Sequence, residues 1–258
     1  MSQETVLITG ASSGIGWELA KQFAADGSKL ILVARREEKL KELADELDQS
    51  HGTECVIIPM DLVEENASQR LHQSIIDGGH TIDVLVNNAG FGQFGLFDKI
   101  PIERHRSMIQ LNIAVLTELT YCFLPMLEER KGSVLNIGST ASFQPGPNSA
   151  VYYATKAFVL SFSEAIFAEL QSRGVSVTCL CPGPTRTGFG ADSDMENTPV
   201  FKYNSMRVED VARAGHRGVR KRKRLVMPGL VNNLMAWSVR LTPRSTLLKV
   251  MQLLQPVQ

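Results

Sequence analysis

Cysteine is scarce in this chain, with four in 258 residues, and no histidine or further cysteine pair stands at zinc-site spacing from any of them. Cys55, Cys122, Cys179 and Cys181 lie in apolar stretches, where a reduced thiol behaves as a small hydrophobe. No metal site is expected. An excess of either charge is also missing: Lys and Arg number 27, Asp and Glu 27. No overall field therefore favours nucleic acid or an anionic membrane, and such contacts would need a local patch. Apolar stretches are broken by polar residues well before the 18 or so that span a bilayer. The amino terminus enters a strand-like run, Thr5-Val6-Leu7-Ile8, without the basic segment, apolar core and small cleavage residues of a signal peptide. The expected location is the cytoplasm. No repeat, Ser/Pro-rich linker or composition break divides the chain, so residues 1–258 read as one domain.

What is present is apolar material, 43% of residues, with 21% charged, enough for one sizeable core. Short β-branched runs recur at Val6–Thr9, Lys29–Ala34, Glu54–Pro59, Asp83–Asn87, Val134–Ser139, Val175–Cys181 and Leu225–Met227, alternating with helical periodicity. Most are apolar throughout, as expected when helices cover both faces of a parallel sheet. The fold class is α/β: one doubly wound (Rossmann) domain, a seven-stranded parallel sheet flanked by helices, with a C-terminal helical extension over 228–258. Residues 183–206 are rich in Gly, Asp, Asn, Thr and Pro yet carry Phe189, Met195, Phe201 and Tyr203. A segment of that length reads as a substrate lid, or else as a short amphipathic helix on the core.

Ligands of open α/β sheets bind outside the carboxyl ends of the strands. There the sequence places Gly10, Arg35, Asp61, Asn87, Ser139 and Pro182-Gly183. After the first strand, Thr9-Gly10-Ala11-Ser12-Ser13-Gly14-Ile15-Gly16 opens a helix, so backbone amides and a helix amino terminus face a pyrophosphate. Where an acidic residue would accept ribose hydroxyls, Arg35 and Arg36 stand instead. Guanidinium groups pair with a 2′-phosphate, which points to NADP(H), although two solvated arginines opening a helix give the same pattern. Asp61 suits an adenine amino group or an ordinary turn.

Tyr152-Tyr153-Ala154-Thr155-Lys156 puts a phenol and an ammonium on one helix face at i and i+4. A nearby ammonium favours phenolate, and lowering a phenol pKa by ~3 units corresponds to roughly 4 kcal/mol of differential stabilisation. The result is an acid/base usable near neutral pH. Spacing alone leaves Tyr153, three residues from Lys156, as the alternative.

These motifs together resemble the short-chain dehydrogenase/reductase family over roughly residues 4 to 225: the glycine pattern, Asp61, Asn87-Asn88-Ala89-Gly90, Asn112, Ser139, Tyr152 with Lys156, and Pro182-Gly183 followed by Thr187. The resemblance selects Tyr152 and implies its role as proton donor and acceptor. It also implies that Lys156 holds the nicotinamide ribose and lowers the phenol pKa, that Ser139 positions the carbonyl, and that Asn112 holds a proton-relay water. Implied cofactor contacts are Gly10, Ser12, Ser13, Gly14, Ile15, Gly16, Arg35, Arg36, Asp61, Leu62, Asn88, Ala89, Gly90, Tyr152, Lys156, Pro182, Gly183, Thr185 and Thr187, the last touching the nicotinamide amide. The family likeness also implies a homo-oligomer, dimer or tetramer, through the helices around 111–126 and 152–170.

The expected function is hydride transfer between NADP(H) and a carbonyl or secondary alcohol, on a medium or bulky apolar small molecule suggested by Phe91, Phe94 and Phe143. A catalytically silent nucleotide sensor or scaffold of the same fold is the alternative. The extension departs from the short Gly-rich tail common in acyl-carrier-protein reductases of the family. Its Leu230, Leu234, Trp237 and Leu241 recur at helical spacing, followed by Leu247, Leu248, Val250, Met251 and Leu254. That stripe packs on the domain, on a second subunit or over the substrate, and Arg240, Arg244 and Lys249 add peripheral membrane contact as a minor option. The basic run Arg220-Lys221-Arg222-Lys223-Arg224 reads as a solvated helix end complementing the dipole, and no nucleic-acid partner is expected. His51, His72, His80, His105 and His216 form no ligand cluster and read as lone surface residues.

Overall fold

A computed structural model describes residues 3–193 and 205–254. Seven strands, β1 (Thr5–Thr9), β2 (Lys29–Ala34), β3 (Cys55–Pro59), β4 (Val84–Asn87), β5 (Ser133–Ile137), β6 (Ser176–Leu180) and β7 (Leu225–Val226), form one sheet in the order β3-β2-β1-β4-β5-β6-β7. Every neighbouring pair is parallel. Strands β1, β4, β5 and β6 are buried along their whole length, because helices cover both faces and no strand needs a polar side. The order reverses between β1 and β4, which opens a crevice at their carboxyl ends.

On one face lie α1 (Gly14–Ala25), α2 (Glu37–His51) and α7 (Val208–Arg220), which bury Leu19, Phe23, Leu40, Leu43 and Val211 against the sheet. On the other, α3 (Ala67–Asp77), α5 (Leu116–Glu129) and α6 (Ala150–Leu170) bury Leu71, Ile75, Phe123, Leu127 and Leu170. Helix α4 (Ile102–Ile109) runs into α5 through a wider π-helical turn, Gln110–Val115. The stretch Ile102–Glu129 is 28 residues long and contains an 18-residue window of mean hydropathy 1.3, enough by length and composition to cross a bilayer, which counting uninterrupted apolar residues misses. Its Leu119, Phe123 and Leu127 instead fill the core. The extension forms α8 (Leu230–Leu241) and α9 (Arg244–Leu254).

Most of the sequence-based strands run one or two residues long at an end, whereas that of β2 coincides and those of β1 and β5 begin one residue late. Ser139 lies beyond β5 and caps a 3₁₀ turn, Thr140–Phe143: its hydroxyl accepts from Ala141 N at 3.1 Å. Of the segment 183–206, Phe189–Asp192 is a single helical turn. Its two ends are tied together, with Met206 N donating to Pro184 O at 2.8 Å and Arg186 N to Met206 O at 2.9 Å. Residues 194–204, and with them a large part of the expected lid, lie outside the described residues.

The basic run ends α7 and is exposed, as expected, yet three of its five residues are also paired, and the reading of two histidines needs correction. The basic run is stitched to the body: Arg220 pairs with Glu4 and Asp26 at 2.6 and 2.8 Å, and Arg224 with Glu164 at 2.6 Å. Arg222 donates to the carbonyls of Lys131 and Gly174. Burial would raise the Glu4 carboxyl, but Arg220 and Ser28 bring it below its usual value. His105 is buried, stacked on Phe97 with ring centroids 5.0 Å apart, and His216 bonds Asp26 at 2.9 Å. A polar neighbourhood in sequence does not reveal a ring turned inward.

A buried polar chain holds the two site-bearing layers in register. Asn87 Nδ2 donates to Thr120 Oγ1 at 3.1 Å and to Asn136 Oδ1 at 2.9 Å, and Asn136 Nδ2 donates to Ser163 Oγ at 2.9 Å. The chain thus crosses from α5 through β4 and β5 to α6. Replacing Asn136 with Ala strips a partner from both neighbours, at about 1–3 kcal/mol for each unsatisfied group. Urea unfolding of Asn136→Ala is expected to show a lower midpoint with unchanged slope, and an unaltered midpoint would contradict the role given to this chain.

Candidate active site

The crevice is a cleft of about 710 Å³, running from Arg35, Arg36 and Asp61 at one end to Phe91, Tyr152 and Phe189 at the other. Its floor is the glycine loop. Thr9 Oγ1 donates to Val86 O at 3.1 Å and accepts from the amides of Asn88 and Ala89 at 3.0 and 3.1 Å. Asn88 Nδ2 returns bonds to Thr9 O and Gly10 O at 2.9 and 3.1 Å. A Cβ at Gly10 would lie 2.8 Å from that amide nitrogen and one at Gly16 2.5 Å from it, so both glycines are imposed by this latch. A Cβ at Gly14, where φ is +59, would lie 3.2 Å from Thr187 Cγ2. Ser13 is the extended N-cap of α1 and its side chain caps nothing. The first amides of α1 therefore carry their partial positive charge toward the cleft, which Ser12, Ser13, Gly14 and Ile15 line.

At the Arg end, Arg36 Nη2 donates to both Ser12 O and Ser12 Oγ at 3.2 Å, bridging the loop to the start of α2. Arg35 is 76% exposed and 3.9 Å from Asp61 Oδ2. Asp61 Oδ1 accepts from Val63 N at 3.0 Å, the turn reading of this residue, while Oδ2 is shared with Arg35. Leu62 is buried in the same wall. Exposed guanidiniums at one end and unbonded helix amides along the floor form an anion-binding donor set, and this fits a dinucleotide with an additional phosphate.

At the opposite end, β5 stops at Ile137 and α6 presents Tyr152 and Lys156, both buried. Lys156 Nζ donates to Ile137 O at 2.7 Å and stands 5.9 Å from the Tyr152 ring centroid. Ser142 Oγ donates to Lys156 O at 2.7 Å, so the 3₁₀ turn that carries Ser139 is fastened to α6. Burial pushes the Lys156 ammonium down to about 8, against the opposing influence of the Cys179 and Cys181 thiols. Burial also pushes the Tyr152 phenol up, partly offset by its hydrogen bond with Ser139. The expected lowering of the phenol by Lys156 is thus not seen. The ammonium is turned to a carbonyl, and desolvation of the phenolate outweighs its field.

Tyr153 is equally buried, its ring 6.0 Å from that of Tyr152 and pressed on Gly146, where a Cβ would lie within 2.4 Å of it. Asn112 sits in the π-helical turn, and its amide is engaged throughout. Oδ1 accepts from Phe91 N at 3.1 Å, and Nδ2 donates to Phe91 O at 2.9 Å and Thr155 Oγ1 at 3.1 Å. The side chain clamps the cleft loop, and a water relay cannot draw on its N–H donors. Gly90 is required beside it, since a Cβ would fall 2.9 Å from Oδ1. Ala89 also lines the cleft.

Pro182 O accepts from Thr140 N at 2.8 Å, and Thr185 Oγ1 donates to Gly183 O at 2.9 Å. Thr187 Oγ1 caps the turn at Phe189 N, 3.2 Å away. Sequence reasoning missed four contributors. Gly138 admits the Cys179 and Cys181 sulfurs, 3.0 and 2.9 Å from where its Cβ would be. Asn232 of α8 packs on Gly183. Met251 of α9 joins the Tyr152–Tyr153 cluster. Arg104 lies over the Phe91 ring at 4.2 Å. Only Gly138, a glycine between a strand and Ser139, left a signal. Among the described residues no group of His, Cys, Asp and Glu could hold a metal.

A family model described as short chain dehydrogenase matches residues 4–197. Serine 3-dehydrogenase of Rhizobium radiobacter is 35% identical over 219 residues, 82% of this chain and 86% of that protein. The structure of a short-chain dehydrogenase from Sphingobium yanoikuyae in complex with NADPH has a TM-score of 0.82 at 32% identity, covering 95% of each chain. A bulky-bulky ketone specific alcohol dehydrogenase from Comamonas testosteroni has a TM-score of 0.78 at 30% identity, over 93% of this chain and 94% of that one. With a family match that spans most of its length and a parallel sheet that carries the family's motifs at one edge, the chain belongs to the short-chain dehydrogenase family of oxidoreductases.

Proposed function

We propose that the protein is an NADP(H)-dependent oxidoreductase that interconverts a carbonyl and a secondary alcohol on a medium or bulky apolar small molecule, with Tyr152 as the acid/base. The observation that carries this reading is the meeting of Ser139, Tyr152 and Lys156 at one end of a cleft whose other end holds Arg35 and Arg36. Bound there, the nicotinamide supplies hydride to the carbonyl carbon and accepts it from the alcohol. The amides of Gly14, Ile15 and Gly16 would face the pyrophosphate, and Arg35 and Arg36 the 2′-phosphate, in keeping with the NADPH bound by the Sphingobium relative.

The Ser139 hydroxyl orients the substrate oxygen, and Tyr152 hands it a proton. A phenol held up by burial keeps that proton at neutral pH, which favours carbonyl reduction. Lys156 remains mostly an ammonium at pH 7 and would hold the ribose hydroxyls. The apolar substrate class is supported by Phe91, Leu111 and Phe189, and the Phe189 ring stands 5.5 Å from that of Tyr152. The segment from Gly183 to Met206 and the extension would complete that wall. Assembly of copies through α5 is supported by Tyr121, an aromatic side chain 80% exposed on that helix, with Pro125 exposed one turn on.

Three measurements test this. Replacing Tyr152 with Phe is expected to reduce carbonyl turnover by about 10²–10⁴-fold, with Tyr153→Phe retaining most of it; the reverse ranking would move the acid to Tyr153. Arg36→Ala combined with Arg35→Ala should raise KM for NADPH by about tenfold or more while leaving KM for NADH nearly unchanged, corresponding to about 1.4 kcal/mol. An equal effect on both cofactors would sink the 2′-phosphate assignment. Because the ammonium of Lys156 is lost as pH rises through about 8, kcat/KM for reduction is expected to be level near pH 7 and to fall above pH 8. A rate that climbs through that range would contradict the assigned protonation states.

A further inference from the structure

From Val211 to Gln258 the chain carries ten Lys and Arg and no Asp or Glu, so its overall neutrality conceals a cationic end. Helix α8 stands in that end and is apolar on its outer side. Its buried residues are Asn232 and Ala236, whereas Leu230, Leu234, Trp237 and Leu241 are 85%, 71%, 64% and 87% exposed. At 100° per residue those four fall within about 60° of arc, across the helix from Asn232 and Ala236. On α9, Leu248, Val250 and Leu253 are exposed. The cations near the patch are exposed as well: Arg240, whose guanidinium lies 5.3 Å from the Trp237 ring centroid, with Arg244 and Lys249.

We propose that the outer face of α8 and α9 docks the protein on an anionic lipid bilayer. A leucine and tryptophan stripe edged by arginine and lysine, with no acidic residue, matches an interfacial helix: the apolar chains enter the headgroup boundary and the cations meet lipid phosphates. A second copy of the chain fits less well. A twofold contact through this face would bring Arg240, Arg244 and Lys249 toward their own copies with no carboxylate on α8 or α9 to pair them. The basic run on α7 adds little, because Arg220 and Arg224 are already ion-paired.

Helix α9 connects this face to the cleft. Its Leu247 and Met251 are buried in the cluster that contains Tyr152 and Tyr153, with Phe91 and Phe189 packed around it. Docking would hold the apolar end of the cleft beside the membrane, where a bulky apolar carbonyl compound partitions. That link to catalysis rests on the oxidoreductase reading above, whereas docking is measured without turnover.

The test uses the full chain with vesicles of phosphatidylcholine alone and of phosphatidylcholine mixed with phosphatidylglycerol. The protein is expected to sediment with the mixed vesicles and not with the neutral ones, and rising salt should release it. The variant Leu234→Ser, Trp237→Ser, Leu241→Ser and the variant Arg240→Gln, Arg244→Gln, Lys249→Gln should each lose binding by about tenfold or more. Both alter exposed positions, and an unchanged melting temperature verifies that each is folded. In a Trp17→Phe background Trp237 is the sole tryptophan, and its emission should shift to the blue on mixed vesicles only. Absence of binding to either vesicle, equal binding to both, or a dimer in solution that the Leu/Trp variant dissociates would each overturn the proposal.

Discussion

The ammonium of Lys156 is a positive charge shut inside the protein on a helix that must itself be held against the sheet. It is tied to the carbonyl of Ile137, the last residue of β5. A buried charge without a partner is among the most destabilising features a protein can contain. The end of β5, the turn after it and the first half of α6 are thereby bound into one unit. Ser142 closes the unit by donating to the Lys156 carbonyl, and the Asn87, Asn136 and Ser163 chain anchors it from below. The positions of Ser139 and Tyr152 follow from this arrangement, because each lies within a few residues of an anchored point.

The nucleotide half of the cleft depends on contact at zero side-chain size. Asn88 enters between Thr9 and Gly10 because Gly10 and Gly16 leave room for its amide, and Thr9 in turn holds the Asn88 and Ala89 amides. Two loops that leave neighbouring strands in opposite directions are thus fastened across the topological switch point. The helix amides of α1 stay free for an anion because no side chain at Ser13 satisfies them.

Much of this was legible in the sequence. All seven strands announced themselves as apolar runs, since burial on both faces writes a continuous pattern, and their carboxyl ends named the residues of one edge. What escaped was what depends on which way a ring or guanidinium turns. His105 faces inward and Arg222 reaches backbone carbonyls, features that no periodicity records. The Tyr152 and Lys156 pair was correctly expected on one face of α6, but i and i+4 spacing fixes adjacency and not the direction of Nζ, so the sign of the phenol shift was misjudged. Asn112 entered through the family resemblance, and its engagement with Phe91 and Thr155, which sets it behind the cleft loop, required the π-helical turn to be seen. The extension's outward Leu stripe was visible as spacing, whereas its exposure was not.

The tie between Pro184 and Met206 has an evolutionary implication. Met206 meets both Pro184 and Arg186 through backbone groups, while its side chain packs on the core and its sulfur accepts from Asn232. The junction acts as a fixed collar from which the intervening stretch departs and to which it returns. Within that stretch Phe189 leans on the Tyr152 ring and Ser193 O accepts from Phe94 N, so a change at these two positions reaches the site without passing through the sheet. Substitutions there can therefore alter the apolar end of the cleft while the anchored lysine and the Asn88 latch keep their own supports.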